Sequence, residues 1–142
     1  MSIQPPPIYE KIANDEGKTT LPWTLFFNQV FDGDAGTVWA PTFQNLSSVG
    51  TPTFEGRYYT ISNYLTYFSV LITPATSVSA TAGTTYIDNF PLNFAGDGVC
   101  FAVSGNLGAT PGMINGTTNR VYIPGLSAVT VPVTIIGIGE AS

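Results

Sequence analysis

Histidine is absent from this chain and charge is scarce: nine acidic and four basic residues stand among 142. Without imidazole the commonest general base is gone. The only lysines that could activate a serine nucleophile, Lys11 and Lys18, sit in an N-terminal stretch unlike the rest of the chain, which excludes catalytic triads. Ordinary soluble domains carry about 25% charged residues. Here charged residues make up 9% against 44% hydrophobic, so a lone monomer has little charge with which to cover its apolar surface, and self-association is expected. The net charge of −5, with Lys11, Lys18, Arg57 and Arg120 as the whole positive complement, offers no patch for phosphates and argues against nucleic acid as a partner.

Cysteine is nearly absent too. Cys100 stands alone, so no internal disulfide can form, and its neighbours Val99 and Phe101 place it in a strand interior as a buried spectator. No window approaches the roughly 18 apolar residues of a membrane helix, and insertion in a membrane is not expected. The first 18 residues show neither a basic n-region nor an apolar h-region, so the protein is expected to be made and kept in the cytosol until something else carries it out. Asn45-Leu46-Ser47 and Asn115-Gly116-Thr117 then read as turn residues and not as glycosylation sites. Asp32 and Asp34 flank a glycine as calcium ligands do, but the distal bidentate glutamate of a calcium loop is missing, and a helix-ending turn accounts for them better. Asp88 and Asp97 are too far apart in sequence to claim as a glycosidase pair. The chain predicts no enzyme, no cofactor and no metal site.

What is present divides into two parts, residues 1–35 and 36–142. Pro5, Pro6 and Pro7 favour an open polyproline II path, and Glu10, Lys11, Asp15, Glu16 and Lys18 crowd charge into the same stretch. It reads as an extended arm with Ile3, Ile8, Tyr9 and Ile12 as anchor points, or as a disordered tail. From Thr20 to Phe31 the residues Trp23, Phe26, Phe27, Val30 and Phe31 fall at helical spacing, with Thr20 to cap and Gly33 to stop a short amphipathic helix; part of the segment also suits a strand.

After Gly36 the period becomes two. Val129, Val131, Val133 and Ile135 alternate with polar residues and Pro132, which places that strand at an edge or a bulge. Val99, Phe101 and Val103 alternate with Cys100, Ala102 and Ser104, and residues 64–72 are apolar on both faces, which calls for a second layer or a neighbouring subunit. Further strands are expected over 37–43, 53–61, 84–90 and 119–123, separated by Gly, Asn and Ser turns at 47–50, 62–63, 80–83, 96–98, 105–106 and 115–116. Seven or eight such strands fit an all-β fold, an antiparallel jelly-roll-like β-sandwich with an N-terminal extended arm and one short helix.

Tyrosines are the remaining candidates for binding. Tyr58, Tyr59, Tyr64 and Tyr67 fall on neighbouring expected strands near Trp39, where they serve either cross-strand packing or an exposed platform for sugar. Residues 105–119, rich in Gly, Asn and Thr, read as a long loop fit for recognition or as a solvated connection.

The stretch from Trp39 to Phe68 (WAPTFQNLSSVGTPTFEGRYYTISNYLTYF) resembles small β-sandwich modules of tailed-bacteriophage virion proteins, in which Trp-x-Pro-x-Phe is followed by Gly-Thr-Pro, Gly-x-Tyr-Tyr and an alternating aromatic strand. The match runs on more loosely through residues 84–90 and the closing strand 129–138. The resemblance implies a virion structural protein made in the host cytoplasm. It implies a homotrimer used as capsid decoration, head fibre or tail fibre in contact with capsid, portal or neck, or tail proteins, and no catalytic residues. The chain lacks a repeat or shaft, so a compact knob suits it better than a whole fibre. Ile8, Tyr9, Trp23, Phe26 and Phe27 are then expected to fasten it to the particle, and Tyr59, Tyr67, Phe68 and Val70 to form the trimer interface. A lectin-like fibre tip that recognises host surface glycan is the other expectation.

Overall fold

The computed structural model describes residues 18, 20, 36–61, 64–105 and 108–142. The chain divides into two compact units, Met1–Ala35 and Gly36–Ser142. Twelve strands run through the described residues, all in the second unit: β1 (Thr37–Trp39), β2 (Phe43–Gln44), β3 (Ser47–Val49), β4 (Thr53–Ile61), β5 (Leu65–Thr73), β6 (Ser77–Ala80), β7 (Tyr86–Ile87), β8 (Gly98–Ser104), β9 (Gly108–Asn115), β10 (Arg120–Tyr122), β11 (Leu126–Val129) and β12 (Val133–Glu140). The described residues contain no helix. Apart from Lys18 and Thr20, the expected arm and helix, with Ile8, Tyr9, Trp23, Phe26 and Phe27, lie outside the described residues.

All pairings are antiparallel. A nine-stranded sheet has the order β1-β4-β5-β12-β8-β9-β10-β7-β2, and a three-stranded sheet the order β11-β6-β3. The larger sheet has to curl. Nine strands laid flat would hold their outermost members roughly 38 Å apart at about 4.8 Å per step. Those outermost members, β1 and β2, are separated in sequence only by Ala40, Pro41 and Thr42, and the stretch from Trp39 to Phe43 reaches at most about 15 Å. Phe43 on β2 accordingly meets Phe54 on β4, ring centroids 4.8 Å apart. Side chains fasten the closure. The Asn89 carboxamide accepts from the Thr42 N–H and donates to the Ala40 carbonyl, both at 2.8 Å. Asp88 accepts from the Thr42 hydroxyl at 2.6 Å and from Gln44 Nε2 at 2.8 Å.

Inside the curl, Phe68, Val70 and Ile72 of β5, Val133 and Ile135 of β12, and Cys100 and Ala102 of β8 form one core with Val78, Leu126 and Val129 of the small sheet. Rings fill its widest part: Phe90 lies 5.2 Å from Trp39, 5.0 Å from Phe68 and 4.7 Å from Phe94. Such pairs contribute about 0.5–1.5 kcal/mol each beyond the area they bury. Two glycines make the room. A Cβ on Gly56 would stand 2.6 Å from Trp39 Cε3, and one on Gly137 would collide with the Phe68 ring, its register partner across β5 and β12.

The long expected strands are in place as β4, β5 and β8, while the shorter ones change. The expected strand 37–43 is interrupted at Pro41 and becomes β1 and β2, and 84–90 contracts to the two residues of β7. The closing strand breaks around Pro132: β11 pairs in the small sheet and β12 in the large one. The turn expected at 47–50 contains β3, and β6 has no counterpart among the expected strands; both are short and serine-rich, and they form by pairing with each other. Residues 105–119 are not a long loop, because Gly108–Asn115 is β9, paired along its length with β8.

Candidate functional site: two surfaces of one sheet

Strand pleat puts alternate residues of the large sheet on its outer surface, and the register arranges them in rows across β4, β5, β12, β8 and β9. One row reads Tyr59, Tyr67, Ile138, Val99, Met113; the next Arg57, Ser69, Ile136, Phe101, Pro111; the third Glu55, Leu71, Thr134, Val103, Ala109. Within these three rows the charges are Arg57 and Glu55, which bond each other at 3.1 Å at one margin; Glu140 of β12 lies on the same face, one row beyond Ile138. The remaining positions are apolar, aromatic or hydroxyl-bearing. Phe101 is 37% exposed, Ile138 39% and Met113 46%. The rows cover roughly 19 by 13 Å between backbone positions, before side chains are added.

β8 reverses the common arrangement. Its bulky residues Val99, Phe101 and Val103 point out and its small ones, Cys100, Ala102 and Ser104, point in. The reason lies one strand away: the Phe68 ring spreads over Gly137, whose absent Cβ would also sit 3.2 Å from the Cys100 Cβ, so only small side chains fit beneath it on β8. Burial pushes the Cys100 thiol up to about 12, and its Sγ lies 3.4 Å from the Tyr122 carbonyl, which leaves no thiolate at neutral pH.

The four residues expected at a trimer interface divide evenly. Tyr59 and Tyr67 stack on the outer surface with centroids 5.4 Å apart. Phe68 and Val70 are wholly buried in the core of their own unit and cannot meet a neighbour. The tyrosine platform expected from sequence also separates: Tyr58 packs on Trp39 at 5.9 Å, while Tyr64 stands apart at 61% exposure, with its hydroxyl raised above the ordinary phenol range by a hydrogen bond to Glu140.

A different platform forms on β2, β7 and β10. Tyr86 and Tyr122 are register partners, ring centroids 5.3 Å apart, and the Arg120 guanidinium lies 4.4 Å over the Tyr86 ring. The Tyr122 hydroxyl, as hydrogen-bond partner, holds that guanidinium above its ordinary range. The Thr42 hydroxyl bond holds the Asp88 carboxyl below its usual range, with Gln44 and Arg120 acting in the same direction. Beside Tyr122 opens a cleft of about 440 Å³, walled by Pro111, Met113, Asn115, Pro124 and the turn at Ala82 and Gly83. Sequence reasoning missed this set because Tyr86 and Tyr122 meet only through the β7–β10 pairing. Their common signal, strands that alternate a tyrosine with a charged residue, is visible only once the two are known to be neighbours. Among the described residues no group of three or more acidic or cysteine side chains could hold a metal ion. No protein-family model, curated protein or solved structure matches the chain.

Proposed function

We propose that this chain is a non-enzymatic structural protein of a tailed-phage virion, a homotrimeric fibre or decoration knob of the jelly-roll kind. Residues 1–35 fasten it to capsid or tail through Ile8, Tyr9, Trp23, Phe26 and Phe27. The observation that supports the reading is the outer surface of β4, β5, β12, β8 and β9. A largely apolar area of this extent on a protein surface is often functional. Its Arg57–Glu55 ion pair is neutral within itself and Glu140 stands at its edge, so identical copies of a chain with net charge −5 bring little charge to the centre of the contact. Three copies then turn this surface, centred on Ile136 and Phe101 and including Tyr59 and Tyr67, toward a common three-fold axis, where different parts of it meet on neighbouring copies.

Light scattering on the full chain tests assembly: a trimer is expected, and a monomer at micromolar concentration would overturn the reading. Trp23→Ala with Phe27→Ala should leave the trimer intact and abolish incorporation into particles. A variant that joins particles normally would remove these residues from the attachment role.

A further inference from the structure

We propose that the outer surface of β7 and β10, with the adjoining cleft, is a saccharide-binding site that takes an N-acetylhexosamine unit. The aromatic groundwork is in place before any ligand arrives. Tyr86 and Tyr122 are half-buried, so each ring is held by the sheet yet keeps surface toward solvent. Arg120 over Tyr86 fixes the pair further. Rigid, partly exposed rings of this kind stack on the C–H face of a pyranose at little entropic cost.

Charge selects the class of sugar. Arg120 and Asp88 place one charge of each sign on this surface, the first over the Tyr86 ring and the second engaged by Thr42 and Gln44. Its net charge is therefore zero, and a neutral sugar suits it. The cleft adds the substituent. At about 440 Å³ it falls in the range of small-molecule sites. Pro111, Met113 and Pro124 give it apolar walls for a methyl group, and Asn115, whose Oδ1 accepts from the Thr118 N–H at 3.0 Å, places a carboxamide at its margin for an amide. An acetamido group carries both a methyl and an amide. Tyr122 belongs to the platform and to the cleft, so a ring stacked on it directs its substituent into the cavity. Pro111 and Met113 are shared with the margin of the apolar surface, and Tyr122, the register partner of Met113, carries its first row on into Tyr86, so the two surfaces adjoin.

The test is saturation-transfer NMR on the full chain with chitotriose, and with cellotriose as the matched sugar lacking the acetamido group. Transfer is expected to the acetamido methyls and one ring face of chitotriose, and Tyr122→Leu and Arg120→Gln should each weaken binding by about tenfold or more. Leu71→Ser, on β5 at the far side of the apolar surface, should leave binding unchanged. Light scattering on the same samples separates this site from assembly, since the Tyr122 and Arg120 variants keep the mass of the parent. If Tyr122→Leu fails to fold by circular dichroism, Arg120→Gln decides. Absence of transfer from chitotriose, equal transfer to cellotriose, or binding that survives a folded Tyr122→Leu or Arg120→Gln variant would overturn the proposal.

Discussion

The outer surface over β5, β12, β8 and β9 and that over β2, β7 and β10 belong to one sheet and obey the same pleat, yet they are built oppositely. On the first, long strands carry their own hydrogen-bond ladders, and the side-chain ties outside gather at the β4 margin, in the Arg57–Glu55 ion pair and the Tyr59–Tyr67 ring stack. On the second, β7 has two residues and β10 three, so few ladder bonds are available, and side chains supply what the backbone does not: Asp88 with Thr42 and Gln44, Asn89 with residues 40 and 42, Arg120 with Tyr86. Where the backbone is sufficient the surface is left apolar, a state water penalises and, in the proposed trimer, a neighbouring copy relieves. Where it is insufficient the surface is polar, ordered and satisfied before any partner arrives.

The comparison breaks most completely if charge is placed on the apolar surface. Phe101→Lys together with Ile136→Lys should reduce the solution mass to that of one chain, while Tyr122→Leu leaves it unchanged, both read by light scattering; equal masses for parent and lysine variant would place the contact elsewhere. Gly137→Ala comes next. Its methyl must displace the Phe68 ring, at a cost of about 1–3 kcal/mol in urea unfolding. A neutral result would show spare room inside and undo the explanation for the outward Val99, Phe101 and Val103.

Asp88 probes the polar surface. Its carboxyl is held below the ordinary 3.8, so the stability it adds is fully present above that value and is lost as the pH falls through its lowered folded-state value. Asp88→Asn should flatten the acid limb of the stability profile. The carboxylate is exposed, so its whole contribution is under about 1 kcal/mol. The smallest effect belongs to neither surface: Ala128 sits at φ +45° in β11, and Ala128→Gly should stabilise the chain by about 0.5 kcal/mol while mass and sugar binding stay as they were.

Much of the fold is legible in the order of the residues. Period-two alternation locates β8 and an unbroken apolar run locates β5, and with β4 they fall nearly to the residue, because each is long enough for its pattern to show. Strands of two to four residues give no such repeat: β3 reads as a turn and β7 as part of something longer. β9 has eight residues, but its glycines, threonine and proline break the alternation and it reads as a loop. The candidate sites are less legible. Tyr59 and Tyr67, expected on a contact surface, lie on the outer face, but the neighbouring Phe68 and Val70 point inward, since adjacent residues of a strand face opposite ways.

Composition and alternation alone determined that this is an all-β, antiparallel, charge-poor chain without the parts for histidine-based or triad catalysis. Only the tertiary structure decided which side of each strand faces in, because a pattern of period two is symmetric and names two faces without ordering them. In β8 the choice fell to Phe68 and Gly137 on neighbouring strands, which fill the interior and send Phe101 out. In β7 and β10 it fell to a closure of the sheet that brings Tyr86 and Tyr122 together across a gap in sequence that no local pattern spans.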